Sequence, residues 1–481
     1  MPTATDAQPI INADNPPYAR LRTLLRAAFE EAPDLRRIVE EPDFAALRYR
    51  FASGDGLDAL IDKLFSFCRT RLLWEELLAY VARRRPNVYN RYAAQWGWPP
   101  VEALPPVHPL SPGPHPAPPA YDDVEVRVAP GPGGRPYVTL QTEQAGDATA
   151  PLRRTWSAEE LTQWLLRLET GLVDGDLLTD VGRKLFRALF HDNLRDLYAQ
   201  ARGATRTGLR LRLWFETPDL QALPWELLYD DGQEEFPALT GQALITRYLA
   251  VPQGKPPLVV EPPLRLLIVT ARPTDQPDLN AQAEEAAIRQ ALDAPVRAGR
   301  VRIESLPHAR PQSLRQALRD TRPHILHFIG HGMVRDRGGA LILENERGRS
   351  HLLDASTLRV LLRRSDSVRL AVLNACLTAR DADPGRTPDR QEAFLGVGPA
   401  LVRAGLGAVV AMQFTASERA AHLFARDFYQ TLARPEPVDL AVSRAREALM
   451  LEFGWERREW ATPVLFLRAP DGVIFAPQGA L

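Results

Sequence analysis

The sequence predicts an α/β protein with a mainly parallel sheet flanked by helices, preceded by a mixed region and an all-α bundle at the N-terminus. Three observations predict it. Between 264 and 478, short apolar runs alternate with amphipathic helical stretches, the rhythm of successive βαβ units. Between 18 and 96, apolar residues recur at the spacing of helix faces instead. Between the two ends lies a stretch too rich in proline for either pattern.

The bundle rests on Leu21, Leu24, Leu25, Ala28 and Phe29, then on Leu57, Leu60, Ile61, Leu64, Phe65 and Cys68, and on Leu72 to Val81. Pro33, Pro42, Pro86 and the Ser53–Gly56 cluster break it into short helices. Cys68 falls on the apolar stripe, so it is expected to pack as a small hydrophobe. From Pro99 to Pro119, ten of 21 residues are proline, which predicts an extended, semi-rigid spacer. These features divide the chain into a helical domain at 1–96, a linker at 97–120, a mixed region at 121–263 and an α/β domain at 264–481.

In the mixed region, Val124–Val128 alternates like a half-buried strand and can pair with Tyr137–Gln141 across the glycine-rich turn at 131–134. Helices are expected at 157–169 and 178–201, a strand at Leu209–Phe215, then the segment Leu223-Pro-Trp-Glu-Leu-Leu-Tyr-Asp230. In the α/β domain, strands are expected at 264–270, 301–306, 324–331, 368–376, 408–412 and 464–467. Helices are expected at 281–292, 312–320, 355–363, 393–404, 417–433 and 438–452, with a hairpin at 339–353 turning at Asn345–Gly348.

Two of these strands carry chemistry. One delivers His331 and Gly332 at its end, the other Cys376. Ligands and reactive groups gather at the carboxyl ends of parallel strands, so neighbouring strands ending in His and Cys would set an imidazole beside a thiol. A free thiol titrates near ~8.5 and needs a base to become an effective nucleophile. His331 is the candidate base and Cys376 the candidate nucleophile. The N–H groups of Gly332 and Cys376 are the candidate oxyanion donors, Gly332 because it has no side chain to block close approach. His324 and His327 lie within the strand and are expected to be buried. After the cysteine, the polar segment 378–392 places Asp381, Asp383 and Glu392 where they could select a basic side chain. Arg335 or Arg337 could instead favour an acidic one.

Composition narrows the classes. The formal net charge of −1 argues against a broad electrostatic grip on nucleic acid or an anionic membrane. Two distant cysteines make neither a disulfide framework nor a zinc site, and no cofactor or metal is expected. The first residues lack the pattern of a secretion signal. No apolar run approaches the ~20 residues that cross a bilayer. A cytoplasmic protein is expected. No phosphate-binding loop is present, which leaves a nucleotide-binding function without support.

The segments HILHFIGHG, LAVLNACLTA, LVRAGLGAVVAMQF, FARDFYQTLA and AVSRAREAL occur in that order, and together they resemble the CHAT family of caspase-like cysteine proteases. LPWELLYDD resembles a motif such proteins carry upstream of the catalytic half. The resemblance covers roughly 121–478. It implies a caspase–hemoglobinase-like fold, His331 as general base, Cys376 as nucleophile, and a degenerate pseudo-protease companion over 121–263. The stretch LIDKLFSFCRTRLLWEELLAYVARRRPNVY resembles an effector-associated, death-like adaptor domain of bacterial signalling and conflict systems. That resemblance implies recruitment to an adaptor or sensor bearing a related domain, in defence or programmed cell death. The expected function is a regulated endopeptidase acting on a protein substrate. The alternative is a non-catalytic, protease-like scaffold.

Overall fold

The structure, a computed structural model, describes residues 18–29, 31–40, 44, 56–71, 74–96, 98, 121–248, 257–335, 338–363, 365–377, 390–434, 436–469 and 471–477; at some of these, Cys376 among them, only the backbone is described. The chain divides into two compact units, one over 1–114 and one over 115–481. The Pro-rich stretch at 99–119, with its expected spacer, lies outside the described residues.

The first unit is helical: α1 (Tyr18–Ala28), α2 (Ala32–Arg36), α3 (Leu57–Arg71), α4 (Trp74–Arg84) and α5 (Pro86–Trp96). Their apolar stripes close on one cluster, in which Leu25, Leu60, Leu64 and Cys68 are buried. Cys68 is core, as its place on the stripe predicts. Arg85 donates to the Ala28 carbonyl at 2.9 Å and ties the α4–α5 corner to the end of α1.

The second unit opens with β1 (Asp122–Pro130), β2 (Pro136–Thr142) and β3 (Gly146–Pro151). Then come α6 (Ala158–Thr170), α7 (Gly175–Leu189), α8 (Asp192–Ala204), β4 (Leu209–Phe215), the short α9 (Pro218–Gln221) and β5 (Ala243–Tyr248). After β6 (Leu258–Val260) follow β7 (Leu264–Thr270), α10 (Ala281–Ala291), α11 (Asp293–Arg297), β8 (Val301–Leu306), α12 (Pro311–Thr321), β9 (Ile325–Arg335), β10 (Gly338–Glu344) and β11 (Ser350–Asp354). The chain ends with α13 (Ala355–Arg363), β12 (Leu370–Leu377), α14 (Arg390–Arg403), β13 (Ala408–Met412), α15 (Glu418–Leu432), α16 (Val438–Phe453), β14 (Pro463–Leu467) and β15 (Phe475–Pro477).

Among the described residues, thirteen strands form one sheet, with the path β11-β10-β9-β12-β13-β14-β5-β4-β1-β2-β3 and with β7 and β8 joined on beside β9. Its centre is mainly parallel: β7, β8, β9, β12 and β13 run together, as do β1, β4, β5 and β14. β13 and β14 meet antiparallel. The sheet is therefore continuous from the mixed region into the α/β region. A single apolar cluster also spans both, from Val124 to Ile474. The apolar runs read as near-continuous because both faces of the sheet are covered. On one face lie Ile325, Ile329, Leu370 and Val372; on the other lie Leu326, Phe328, Ala371 and Leu373.

The Leu223–Asp230 segment explains itself in this setting. Trp225 stacks on Phe215 at 4.5 Å, and its indole N–H donates to the Leu220 carbonyl at 2.6 Å. Glu226 is fully buried and accepts two bonds from the Arg247 guanidinium, at 3.1 and 2.6 Å, and one from the Gln413 amide at 3.0 Å. Arg247 stands on β5 and Gln413 directly follows β13. One carboxylate thus joins the two regions of the sheet. Gly182 on α7 is required here: a Cβ would lie 2.1 Å from the Leu227 carbonyl oxygen, and its own carbonyl accepts from Tyr229 N–H at 3.1 Å.

His324 enters just before β9. Its Nδ1 accepts from the Arg265 backbone N–H at 3.1 Å, and the Arg265 guanidinium lies 2.7 Å from Nε2. Burial, then Arg265 and Arg369, lower its pKa from 6.5 to about 4.

Two outcomes follow from these buried groups. Replacing Glu226 by Ala leaves Arg247 buried without its carboxylate and should cost about 3–5 kcal/mol; denaturant unfolding measures it, and a loss below 1 kcal/mol would contradict the role. Because the folded pKa of His324 is depressed, protonation favours the unfolded chain. Its contribution is intact above pH 6.5 and is lost as the pH falls towards 4, by up to roughly 3 kcal/mol. The unfolding free energy of the native protein should drop more steeply between pH 7 and 4.5 than that of His324→Gln, whereas parallel slopes would rule this out.

Candidate active site

β9 and β12 are neighbours, parallel and in register from Leu370↔Ile325 to Leu377↔Gly332. Cys376 is the partner of His331 in that register. Adjacent strands lie ~4.8 Å apart, and partners in register occupy the same face of the pleat. The two strands therefore bring the predicted base and nucleophile side by side. Gly332 is buried one residue further on, between Leu377 of β12 and Leu341 of β10.

One expectation needs correction. The His-bearing strand does not stop at His331; β9 continues to Arg335. What changes at His331 is the neighbour. Through Ile329, β9 pairs with β7 in parallel; from His331 onward it pairs antiparallel with β10. β7 ends at Thr270, and the backbone groups it would have paired are taken up by β10. A reactive residue can thus stand in the middle of a strand, because the adjoining chain departs there.

The departing chain returns to His331. Residues 271–280 arch from β7 to α10, and the Pro277 carbonyl lies 2.9 Å from His331 Nε2. A carbonyl only accepts, so Nε2 carries the hydrogen and Nδ1 keeps its lone pair. His331 is buried. Burial lowers its pKa and the Pro277 contact opposes this in part. The outcome is a neutral imidazole of defined tautomer, with a basic nitrogen free of the Pro277 contact.

The arch is itself held. Ser350 N–H and Oγ both donate to Asp275 Oδ1 at 2.8 Å, Thr274 N–H donates to the Gly348 carbonyl at 2.9 Å, and Arg272 N–H donates to the buried Glu344 at 2.8 Å. At its far end, Asn280 N–H donates to Glu418, and the Asn280 side chain caps α10. Sequence reading missed Pro277. The cluster Pro273-Thr-Asp-Gln-Pro277 signals a loop after a strand, but nothing local says where that loop goes.

Below the pair, on the same face, lies a polar chain whose His327, Glu284 and Tyr429 are buried and whose Asn374 is half-buried. His327 is four residues before His331, and Asn374 is two before Cys376. His327 lies 2.9 Å from the Tyr429 hydroxyl through Nδ1 and 2.9 Å from Glu284 Oε1 through Nε2. Asn374 donates to Glu284 Oε2 at 2.5 Å. Glu284 stands on α10 and Tyr429 on α15. His327 is fully buried, as its strand position predicts. His324 lies seven residues from His331, away from the pair.

Asp381, Asp383 and Arg337 lie outside the described residues, and Glu392 and Arg335 are described by backbone alone. Among the described residues, no group of three or more His, Cys, Asp or Glu side chains could hold a metal ion. No helix among them is long and apolar enough to cross a membrane.

The family model of the CHAT domain matches residues 179–466, more than half of the chain. No curated protein sequence matches. Solved structures with similarity include the separase–securin complex of Saccharomyces cerevisiae, at 10% identity and a TM-score of 0.41, over 72% of this chain and 30% of that one. Another is the Arg-specific cysteine proteinase gingipain R, at 12% identity and a TM-score of 0.38, over 62% of this chain and 75% of that one. The chain thus spans under a third of the separase-complex chain. With its family model laid over the strands that carry both His331 and Cys376, the chain belongs to the CHAT domain family.

Proposed function

We propose that the protein is a caspase-like cysteine endopeptidase in which Cys376 attacks a peptide carbonyl and His331 moves the protons. The observation that carries this reading is the register Cys376↔His331 on adjacent parallel strands, with Nε2 of that histidine held by the Pro277 carbonyl. The free Nδ1 takes the thiol proton as sulfur bonds to the substrate carbon. The imidazolium so formed keeps its Nε2–H on Pro277, whose carbonyl dipole favours the charged ring. Nδ1–H then protonates the departing amine, which leaves a thioester on Cys376. Water, deprotonated by the same nitrogen, hydrolyses that thioester. Backbone N–H groups at Gly332 and Cys376 are assigned to the developing oxyanion.

Asp381, Asp383 and Glu392 follow Cys376 in the chain, and we assign them to selecting a basic side chain before the scissile bond. We assign the helical unit at 1–96 to recruitment, through an adaptor or sensor protein carrying a related effector-associated domain. The setting is bacterial signalling, defence or programmed cell death in the cytoplasm.

Incubating the protein with the products of neighbouring genes should yield a cut protein, and Cys376→Ala or His331→Ala should each lower the rate at least about 10³-fold. Cutting that survives both substitutions would overturn the assignment. Unchanged biological activity in both variants would point to the scaffold reading. Removing residues 1–96 should spare peptide hydrolysis and abolish co-purification with the recruiting protein; co-purification that persists would refute the recruitment role.

A further inference from the structure

The polar chain beneath the pair is placed where a core would ordinarily be apolar. Glu284 and His327 are nearly or fully buried, and Tyr429 is fully buried. A buried polar group is costly unless every donor and acceptor is matched. With His327 as its Nε2–H tautomer, the bonds line up in one direction. Glu284 accepts from His327 Nε2–H and from Asn374 Nδ2–H, one on each oxygen. His327 Nδ1 is then an acceptor, and the Tyr429 hydroxyl supplies the hydrogen. Burial and the nearby Glu284 raise the Tyr429 pKa well above 10, so the hydroxyl keeps that hydrogen.

The positions matter more than the count. His327 is on β9 and Asn374 on β12, in the two strands that carry His331 and Cys376. Their direct register partners are apolar or small: Val372 opposite His327 and Ile329 opposite Asn374. Glu284 crosses diagonally between the strands, one oxygen to each. A helix carboxylate thus binds both strands from the face on which His331 and Cys376 stand. Tyr429 attaches the same histidine to a second helix.

We propose that Asn374, bridged by Glu284 to His327, is a positioning residue that sets the placement of Cys376 against His331. This rests on the His331–Cys376 reading above. The effect acts through geometry: Asn374 is two residues, ~6.6 Å, from Cys376 along the strand, and small misplacements of reacting groups are costly.

The test is alkylation of Cys376 by iodoacetamide in the full chain, followed over pH by peptide-resolved mass spectrometry, so that buried Cys68 does not interfere. Asn374→Ala and Glu284→Ala should each slow the reaction about tenfold or more and move its midpoint towards the ~8.5 of a free thiol. The double substitution should be no worse than either single one, because both break the same link. Glu284→Gln should restore the rate, since its carbonyl can accept from His327 and its amide can donate to a flipped Asn374. Tyr429→Phe, which keeps the Glu284 bridge and the side-chain shape, should stay near the native rate and shows that loss of a buried hydrogen bond alone is not the cause. Native-like rate and midpoint in Asn374→Ala would overturn the proposal. So would additive losses in the double variant, or Glu284→Gln as slow as Glu284→Ala. A native midpoint already near ~8.5 and unmoved by His331→Ala would bring down the His331–Cys376 reading itself, and this inference with it.

Discussion

Parallel pairing of β9 with β12 in one register is the constraint on which the site depends. Side chains alternate between the faces of a sheet, so a slip of one residue would send Cys376 to the face opposite His331. The apolar residues on both faces prevent that slip. Leu326, Phe328, Ala371 and Leu373 must enter one core, while Ile325, Ile329, Leu370 and Val372 enter the other. The register that satisfies both cores is the one that pairs the imidazole position with the thiol position. Fold stability and site geometry thus share one cause.

The second element is an exchange of partners. A central strand normally keeps the same two neighbours along its whole length. β9 does not, because β7 stops at Thr270 and β10 takes over from His331. The chain released from β7 then arches back and offers the Pro277 carbonyl to His331. The hairpin of β10 and β11 both fills the vacated edge and holds the arch, through Ser350, Gly348 and Glu344. One topological event brings the arch back onto His331, holds its imidazole and braces the arch.

The region before β7 contributes in a different manner. It extends the sheet through β5 against β14, a pairing of only two residue pairs. Such a short ladder is weak alone. The buried Glu226, shared by Arg247 and Gln413, adds a charged lock at the same seam. Removing either partner of such a pair is far more damaging than the pair is stabilising, so it specifies how the two regions meet more than it strengthens them. The alternation of Leu209–Phe215 shows the strand, and Trp225 marks a core aromatic. Neither reveals that Glu226, directly after Trp225, seeks an arginine on β5 and an amide after β13.

Much was legible in the chain itself. Local periodicity is a short-range property, so helix stripes such as Leu60-Ile61-Leu64-Cys68 and apolar runs such as Leu370–Leu373 declare their structure without a partner. Residue chemistry likewise singled out His331, Gly332 and Cys376, because a reactive side chain at the end of an apolar run is conspicuous. Tertiary structure alone decided the rest. That Pro277 meets His331 depends on a backbone carbonyl, which every residue possesses and no sequence pattern marks. That Glu284 bridges His327 and Asn374 depends on a helix docking across two strands whose residues are 43 and 90 positions away. Contacts of that kind are set by how the layers pack, and packing is a property of the whole fold rather than of any segment in it.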